Sequence, residues 1–276
     1  MSCEKNFIIE NQVLTGYLGE EKCVTIPDAV KSIGKLAFRE NEALENVVIP
    51  NSVQIIDEFA FKGCTSLKRL VIPASVVSIG NYAIGDCCEL MELTVEEGNK
   101  RYFSRGNCII DKQEGTLVLG CQSSVIPDDG SVTSIGAFAF ASCVSLDSIL
   151  IPRCVRQIRD YAFVDCYNLD RVEFSDTPNP EAPWLRPTDY IGCHAFEGCT
   201  SLESVEIPEA VSCIGEKAFF GCEALKSVTA TDTLCCIGKD AFSGCSGELT
   251  FTVPLGDFLE DYARKKQFGV EPHPNS

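Results

Sequence analysis

Cysteine is the residue type that most invites a chemical reading of this chain. Among 276 residues there are 17 cysteines, and thiols can ligate metals, close disulfides or act as nucleophiles. Cys64, Cys87, Cys143, Cys166, Cys199, Cys222 and Cys245 each follow an Ala-Phe or Ala-Ile pair at the same offset. A zinc site calls for local pairs of the Cys-x-x-Cys kind, and the sequence contains none. An odd number of cysteines in a long chain argues against a closed disulfide framework and for a reducing setting. Histidine is scarce: His194 stands directly before Ala195, and His273 lies near the end of the chain. A Cys-His nucleophile would need His194 to meet a thiol such as Cys193, but sequence neighbours on a strand face apart. No glycine-rich phosphate loop, nucleophile elbow or metal-binding helix occurs. The residues therefore assign no catalytic, cofactor-binding or metal site, and the chain reads as a non-enzyme.

The cysteine spacing has an architectural source. The Ala-Phe or Ala-Ile pair begins at residues 37, 60, 83, 139, 162, 195, 218 and 241, so the step of 23 residues recurs five times. A unit this short cannot bury its own apolar face, but stacked on copies of itself it builds a continuous core. Within the unit, residues 47–49 alternate like a strand and end on Pro50, which cannot donate to a ladder. Parallel stacking of such strands at about 4.8 Å gives one wall. Residues 53–56 should run back along the opposite wall, and Ala-Phe should make a tight turn with Phe inside. The repeated cysteines then form one interior column, small hydrophobes whose S–H can donate to a turn carbonyl. Asn41 stands in that register in the first unit and suits a polar contact with backbone. In the adjacent pairs Cys87 with Cys88 and Cys235 with Cys236, alternation places one thiol inward and the other outward. The interval of 56 residues between the pairs at 83 and 139 equals 23 plus 33, which predicts a degenerate turn between residues 93 and 127.

The unit I-P-x-x-V-x-x-I-G-x-x-A-F-x-x-C-x-x-L, carried by roughly residues 20–254, resembles that of the BspA-like leucine-rich repeat family. The resemblance implies a curved repeat solenoid, a leucine-rich repeat with a parallel β-sheet on the concave face, mainly β and turns with little helix. It also implies a bacterial or protist origin, and some relatives are surface adhesins for host matrix proteins. Asn41, Ile84 in place of Phe, and Glu248 in place of Leu depart from the pattern. The expected layout is a single domain over residues 1–276. It has an N-terminal hairpin cap over 1–25, about nine repeats over 26–254 with insertions near 95–125 and 175–190, and a C-terminal cap and tail over 255–276. The first insertion reads as a hairpin of 108–110 and 116–119 about Asp-Lys-Gln-Glu-Gly. The second holds Trp184, Arg186 and a cluster of prolines. Phe258, Leu259, Tyr262 and Ala263 lie at helical spacing, and the tail after Gly269 reads as loose.

Composition narrows the function classes. A net charge of −17 repels phosphate backbones and anionic lipid, which argues against nucleic-acid partners and membrane surfaces. No apolar run is long enough for membrane insertion. The N-terminal residues lack signal-peptide features, so the chain as it stands is expected in the cytoplasm, with a secreted or cell-surface alternative if an export signal has been removed. If Val47 and Ile49 face inward, one outward column holds Asn46, Arg69, Glu92, Ser148, Arg171, Ser204, Ser227 and Thr250. The second holds Val48, Val71, Thr94, Leu150, Glu173, Glu206, Thr229 and Thr252. From these, Val48, Val71, Leu150, Arg69 and Arg171, with Trp184 and Arg186, are the candidate contacts for a protein partner. The expected function is a monomeric, non-enzymatic scaffold that binds protein through its concave sheet and the Trp184 loop. The alternatives are an adhesin for host matrix protein and a structural spacer with no ligand of its own.

Overall fold

The computed structural model describes residues 6–175, 188–256 and 258–273. They form a β-solenoid of short parallel strands in two compact units, Met1–Val125 with Phe138–Cys143, and Ile126–Ala137 with Val144–Ser276. In the first unit, one wall stacks Cys23–Thr25, Asn46–Val48, Arg69–Ile72 and Glu92–Val95. Cys23 lies beside Asn46, Asn46 beside Arg69 and Arg69 beside Glu92, so each neighbour is one repeat away. The opposite wall stacks Ser32–Ile33, Ile55–Ile56 and Ser78–Ile79. It begins on the expected hairpin, Phe7–Glu10 antiparallel to Val13–Tyr17. That hairpin turns through Asn11 and Gln12 at φ 50° and 67°, the sense that matches strand twist.

The second unit repeats the plan. One wall holds Ser148–Ile151, Arg171–Phe174, Ser204–Glu206, Ser227–Thr229 and Thr250–Val253. The other holds Ser134–Ile135, Gln157–Ile158, Tyr190–Ile191, Cys213–Ile214 and Cys236–Ile237.

The repeated letters explain the turn. The proline carbonyl that ends a strand accepts the N–H of the valine three residues on, as from Val53 to Pro50 at 3.0 Å and from Val211 to Pro208 at 2.9 Å. This β-turn swings the chain from one wall to the other. At the next corner, the Phe N–H donates to the Ala carbonyl of the following turn, from Phe61 to Ala83 at 2.8 Å and from Phe196 to Ala218 at 2.7 Å. Phe163, Phe196, Phe219 and Phe242 are fully buried and stack at 5.0, 5.2 and 5.1 Å between centroids. Burying each ring contributes about 1.5–3 kcal/mol.

This corner demands two left-handed residues per turn. One precedes the alanine: Leu36, Phe59, Tyr82, Phe138, Tyr161, His194, Lys217 and Asp240 have φ between 51° and 63°. The other precedes the cysteine register and is Gly63, Gly198, Gly221 or Gly244 in some turns, but Glu40, Asp86, Ser142 or Asp165 in others. A non-glycine residue there costs on the order of 1–2 kcal/mol, which the surrounding ladder offsets.

Several expectations need correction. The stretch near 95–125 does contain the predicted hairpin, Cys108–Asp111 with Thr116–Leu119, but a third antiparallel strand, Tyr102–Arg105, joins it. This meander stands where a degenerate turn was expected. The repeat survives at its corner, where Gly120 in the Phe position donates its N–H to the Ala139 carbonyl at 2.8 Å and its carbonyl accepts from the Cys143 Sγ at 3.9 Å. A Cβ at Gly120 would lie 2.1 Å from the Phe140 ring, so that ring fills the vacated space. Leu249 is buried while Glu248 is exposed, so one extra residue after Cys245 restores the apolar position. The helix Phe258–Lys265 buries Leu259 and Ala263. The tail reading fails at Gly269–Pro272, which pairs in parallel with Thr250–Val253 and ends that wall.

Candidate functional site

The thiol column comes first because it carries the most reactive residue type. Cys64, Cys166, Cys199 and Cys222 have no accessible surface, while Cys87, Cys143 and Cys245 are half-buried. The Sγ of Cys64 donates to the Phe38 carbonyl at 3.1 Å, that of Cys222 to Phe196 at 3.2 Å, and that of Cys245 to Phe219 at 3.3 Å. Each bond reaches the Phe of the preceding turn, so the cysteine adds a side-chain donor to a corner carbonyl that already accepts the backbone N–H three residues on. Asn41 does the same work, its Nδ2 donating to the Gly19 carbonyl at 2.8 Å. Burial pushes the thiols of Cys64 and Cys245 up to about 12. Burial, then the neighbouring Cys166 thiol, drives Cys199 well above the ordinary range. A thiol held protonated and out of water is neither a nucleophile nor a metal ligand at neutral pH.

The adjacent pair Cys235 and Cys236 departs from alternation. Both are exposed, with Leu234 buried and Ile237 half-buried on either side of them and Cys235 just before the strand. His194 does not serve a thiol. Its ring stacks on Tyr161 at 4.4 Å between centroids, and its Nδ1 pairs with Glu197. Among the described residues no cluster of three or more His, Cys, Asp or Glu side chains is placed to hold a metal ion. No helix among them is long and apolar enough to cross a membrane.

What remains is the strand face. In the first unit Val48 is 55% exposed and Arg69 is exposed, whereas Val71 is half-buried and offers less contact than its outward register suggested. In the second unit Leu150 is 53% exposed, and its strand partner is Glu173. Arg171 lies beside Ser148 and pairs with Glu173 at 3.3 Å. Leu150 and Arg171 line a groove of about 910 Å³ that runs across these strands. Its other described walls include Arg153, Glu173, Phe174, Glu206, Glu209 and His273. The first-unit candidates Arg69, Val48 and Val71 are not among that groove's lining residues. Trp184 and Arg186 lie outside the described residues.

Sequence reasoning found Leu150, Arg171, Glu173 and Glu206 through strand alternation. It missed Glu209 and Arg153, which sit in the two P-x-x-V turns beside the face. The repeated proline marks those positions, so a scan of the variable letters after each Ile-Pro would have found them. It also missed His273, because the strand that brings it to the groove was read as tail. Glu206 and Glu209 form no ion pair among the described residues, and they line the groove together with Leu150, Phe174, Arg153 and Arg171.

Comparison with known proteins agrees with this geometry. A model of the BspA type leucine rich repeat region matches the chain in six copies, over residues 9–107, 120–179 and 188–256. No curated protein sequence matches it. A leucine rich cell surface protein from Faecalibacterium prausnitzii is 31% identical, with a TM-score of 0.71 over 88% of this chain and 62% of its own. The chain thus spans less than two thirds of that protein. The pneumococcal vaccine antigen PcpA shares the fold, with a TM-score of 0.65 at 19% identity over 91% of this chain and 67% of its own.

Proposed function

Taking as premise that the chain belongs to the BspA-type leucine-rich repeat family, we propose that it is a non-enzymatic scaffold that binds an extended, cationic segment of another protein along the strand face of its second unit. The observation that carries this reading is the groove itself. It pairs exposed Leu150 and half-buried Phe174 with Glu206 and Glu209, carboxylates that have no cationic partner among the described residues. An extended peptide can set apolar side chains against Leu150 and Phe174 and cationic ones against Glu206 and Glu209. The overall charge of −17 draws a basic partner in and repels an acidic one. Val48 and Arg69 are the corresponding contacts in the first unit, and Trp184 and Arg186 remain proposed contacts from the proline-rich insertion.

A second reading is favoured by one finding. The Faecalibacterium prausnitzii protein is a cell surface protein, so export and attachment to host matrix protein is the alternative to an intracellular scaffold. A panel of short peptides with one apolar pattern and cationic, neutral or acidic spacers separates the possibilities. Retention of the cationic set, lost in the double variant Glu206→Lys with Glu209→Lys at unchanged Tm, supports the groove reading. Equal retention of acidic peptides counts against it. Binding to immobilised extracellular-matrix protein that ignores the double variant moves the weight to the adhesin reading.

A further inference from the structure

A second feature of the second unit lies on the wall opposite the groove. Cys213 and Cys236 begin the two-residue strands Cys213–Ile214 and Cys236–Ile237 and are direct partners in the parallel register. Ile214 is buried and Ile237 half-buried, so the two cysteines share the outward side. Cys236 is exposed and Cys213 half-buried. Neighbouring strands lie about 4.8 Å apart, inside the Cα separation of about 4.4–6.8 Å that a disulfide spans.

We propose that Cys213 and Cys236 are a modification site, a surface dithiol that low-molecular-weight disulfides such as oxidised glutathione convert to a reversible disulfide between adjacent turns. The Cys236 thiolate attacks one sulfur of the oxidant, breaks its S–S bond and releases one thiol. The Cys213 sulfur, losing its proton, then attacks the Cys236 sulfur of the mixed disulfide and releases the second thiol. Two electrons pass from the cysteine pair to the oxidant, and each half of the oxidant leaves with one proton. Burial, then the Cys236 thiol beside it, pushes Cys213 up to about 11, which makes Cys236 the point of entry and Cys213 the resolving thiol. The chain between them is one complete turn and contains the strand Ser227–Thr229, whose Thr229 lines the groove. Closure therefore pins that turn to its neighbour.

Two nearby comparisons define the site. Cys166 and Cys199 also occupy equivalent positions of adjacent turns, but both are fully buried and no oxidant reaches them. Cys235 is exposed, yet its Sγ donates to the Ser212 carbonyl at 3.4 Å, away from its sequence neighbour.

The test treats the intact protein with oxidised glutathione at mildly alkaline pH, blocks free thiols and maps the peptides. The expected result is loss of two hydrogen atoms in mass, a crosslinked peptide pair containing Cys213 and Cys236, and full reversal by dithiothreitol. In Cys213→Ser, glutathione should remain attached at Cys236 because nothing resolves it. A stable glutathione adduct at Cys236 in the natural sequence, or a crosslink from Cys236 to Cys235 or Cys193 instead, overturns the proposal. So does the same loss of hydrogen in Cys213→Ser.

Discussion

A residue that looks reactive in a sequence can be a building element once its register is known. The repeated cysteines reinforce the corners from inside the stack, as the bond from Cys64 to the Phe38 carbonyl at 3.1 Å illustrates. Alkylation of the native protein, read cysteine by cysteine by mass spectrometry, should modify Cys23, Cys235 and Cys236 first. Cys64, Cys166, Cys199 and Cys222 should react only after unfolding, and early modification of any of them would remove the interior column. The left-handed corner yields a second expectation at this scale. Gly221 has φ 71°, and a Cβ added there would meet nothing closer than 3.9 Å. Gly221→Ala should therefore cost about 1–2 kcal/mol through backbone conformation alone, measured by denaturant unfolding. The interior cysteines and phenylalanines were legible because most turns repeat them. The left-handed residues were not, because that position accepts Leu, Tyr, His, Lys and Asp with no shared side-chain chemistry.

Strands and corners stand or fall by contacts between turns. Truncating Phe196, which stacks between Phe163 and Phe219, should cost about 3–5 kcal/mol, seen as a lower denaturation midpoint. Charges repeat the same logic on the surface of the first unit. Glu45 bonds Lys22 at 2.6 Å and Lys68 at 2.7 Å, one turn to either side. Hydrogen bonds from Lys22 and then Lys68 hold the Glu45 carboxyl down at about 2, below its ordinary 4.5. The folded state thus binds this proton more weakly than the unfolded chain. The contribution is complete above pH 4.5 and is lost as pH falls toward about 2. Glu45→Gln should flatten the acid limb of the stability profile in that window, and an unchanged limb would show that the rung adds nothing.

Short strands ending on proline were readable because the 23-residue step fixes their register. The strands Tyr102–Arg105 and Gly269–Pro272 were not, since each occurs once and depends on a neighbouring strand to pair with. The pair Cys235 and Cys236 misled for a related reason. Alternation holds within a strand, and Cys235 lies just before one.

For the molecule as a whole, repetition and function divide between different letters. Positions shared by every turn build the walls, and the letters that vary decide what the faces can touch. Alternation therefore brought Leu150, Arg171 and Glu206 to one face, whereas the chemistry of that face depends on turn residues such as Glu209 that no period specifies. The most direct test is the dissociation constant of a cationic, apolar-patterned peptide for the intact chain and two variants. Glu206→Lys with Glu209→Lys should weaken binding by about tenfold or more, since it reverses both charges in the contact. Glu223→Lys, on an exposed turn that is not part of the groove lining, should leave it unchanged. Equal affinity for all three proteins, or an equal loss in both variants, would contradict the account.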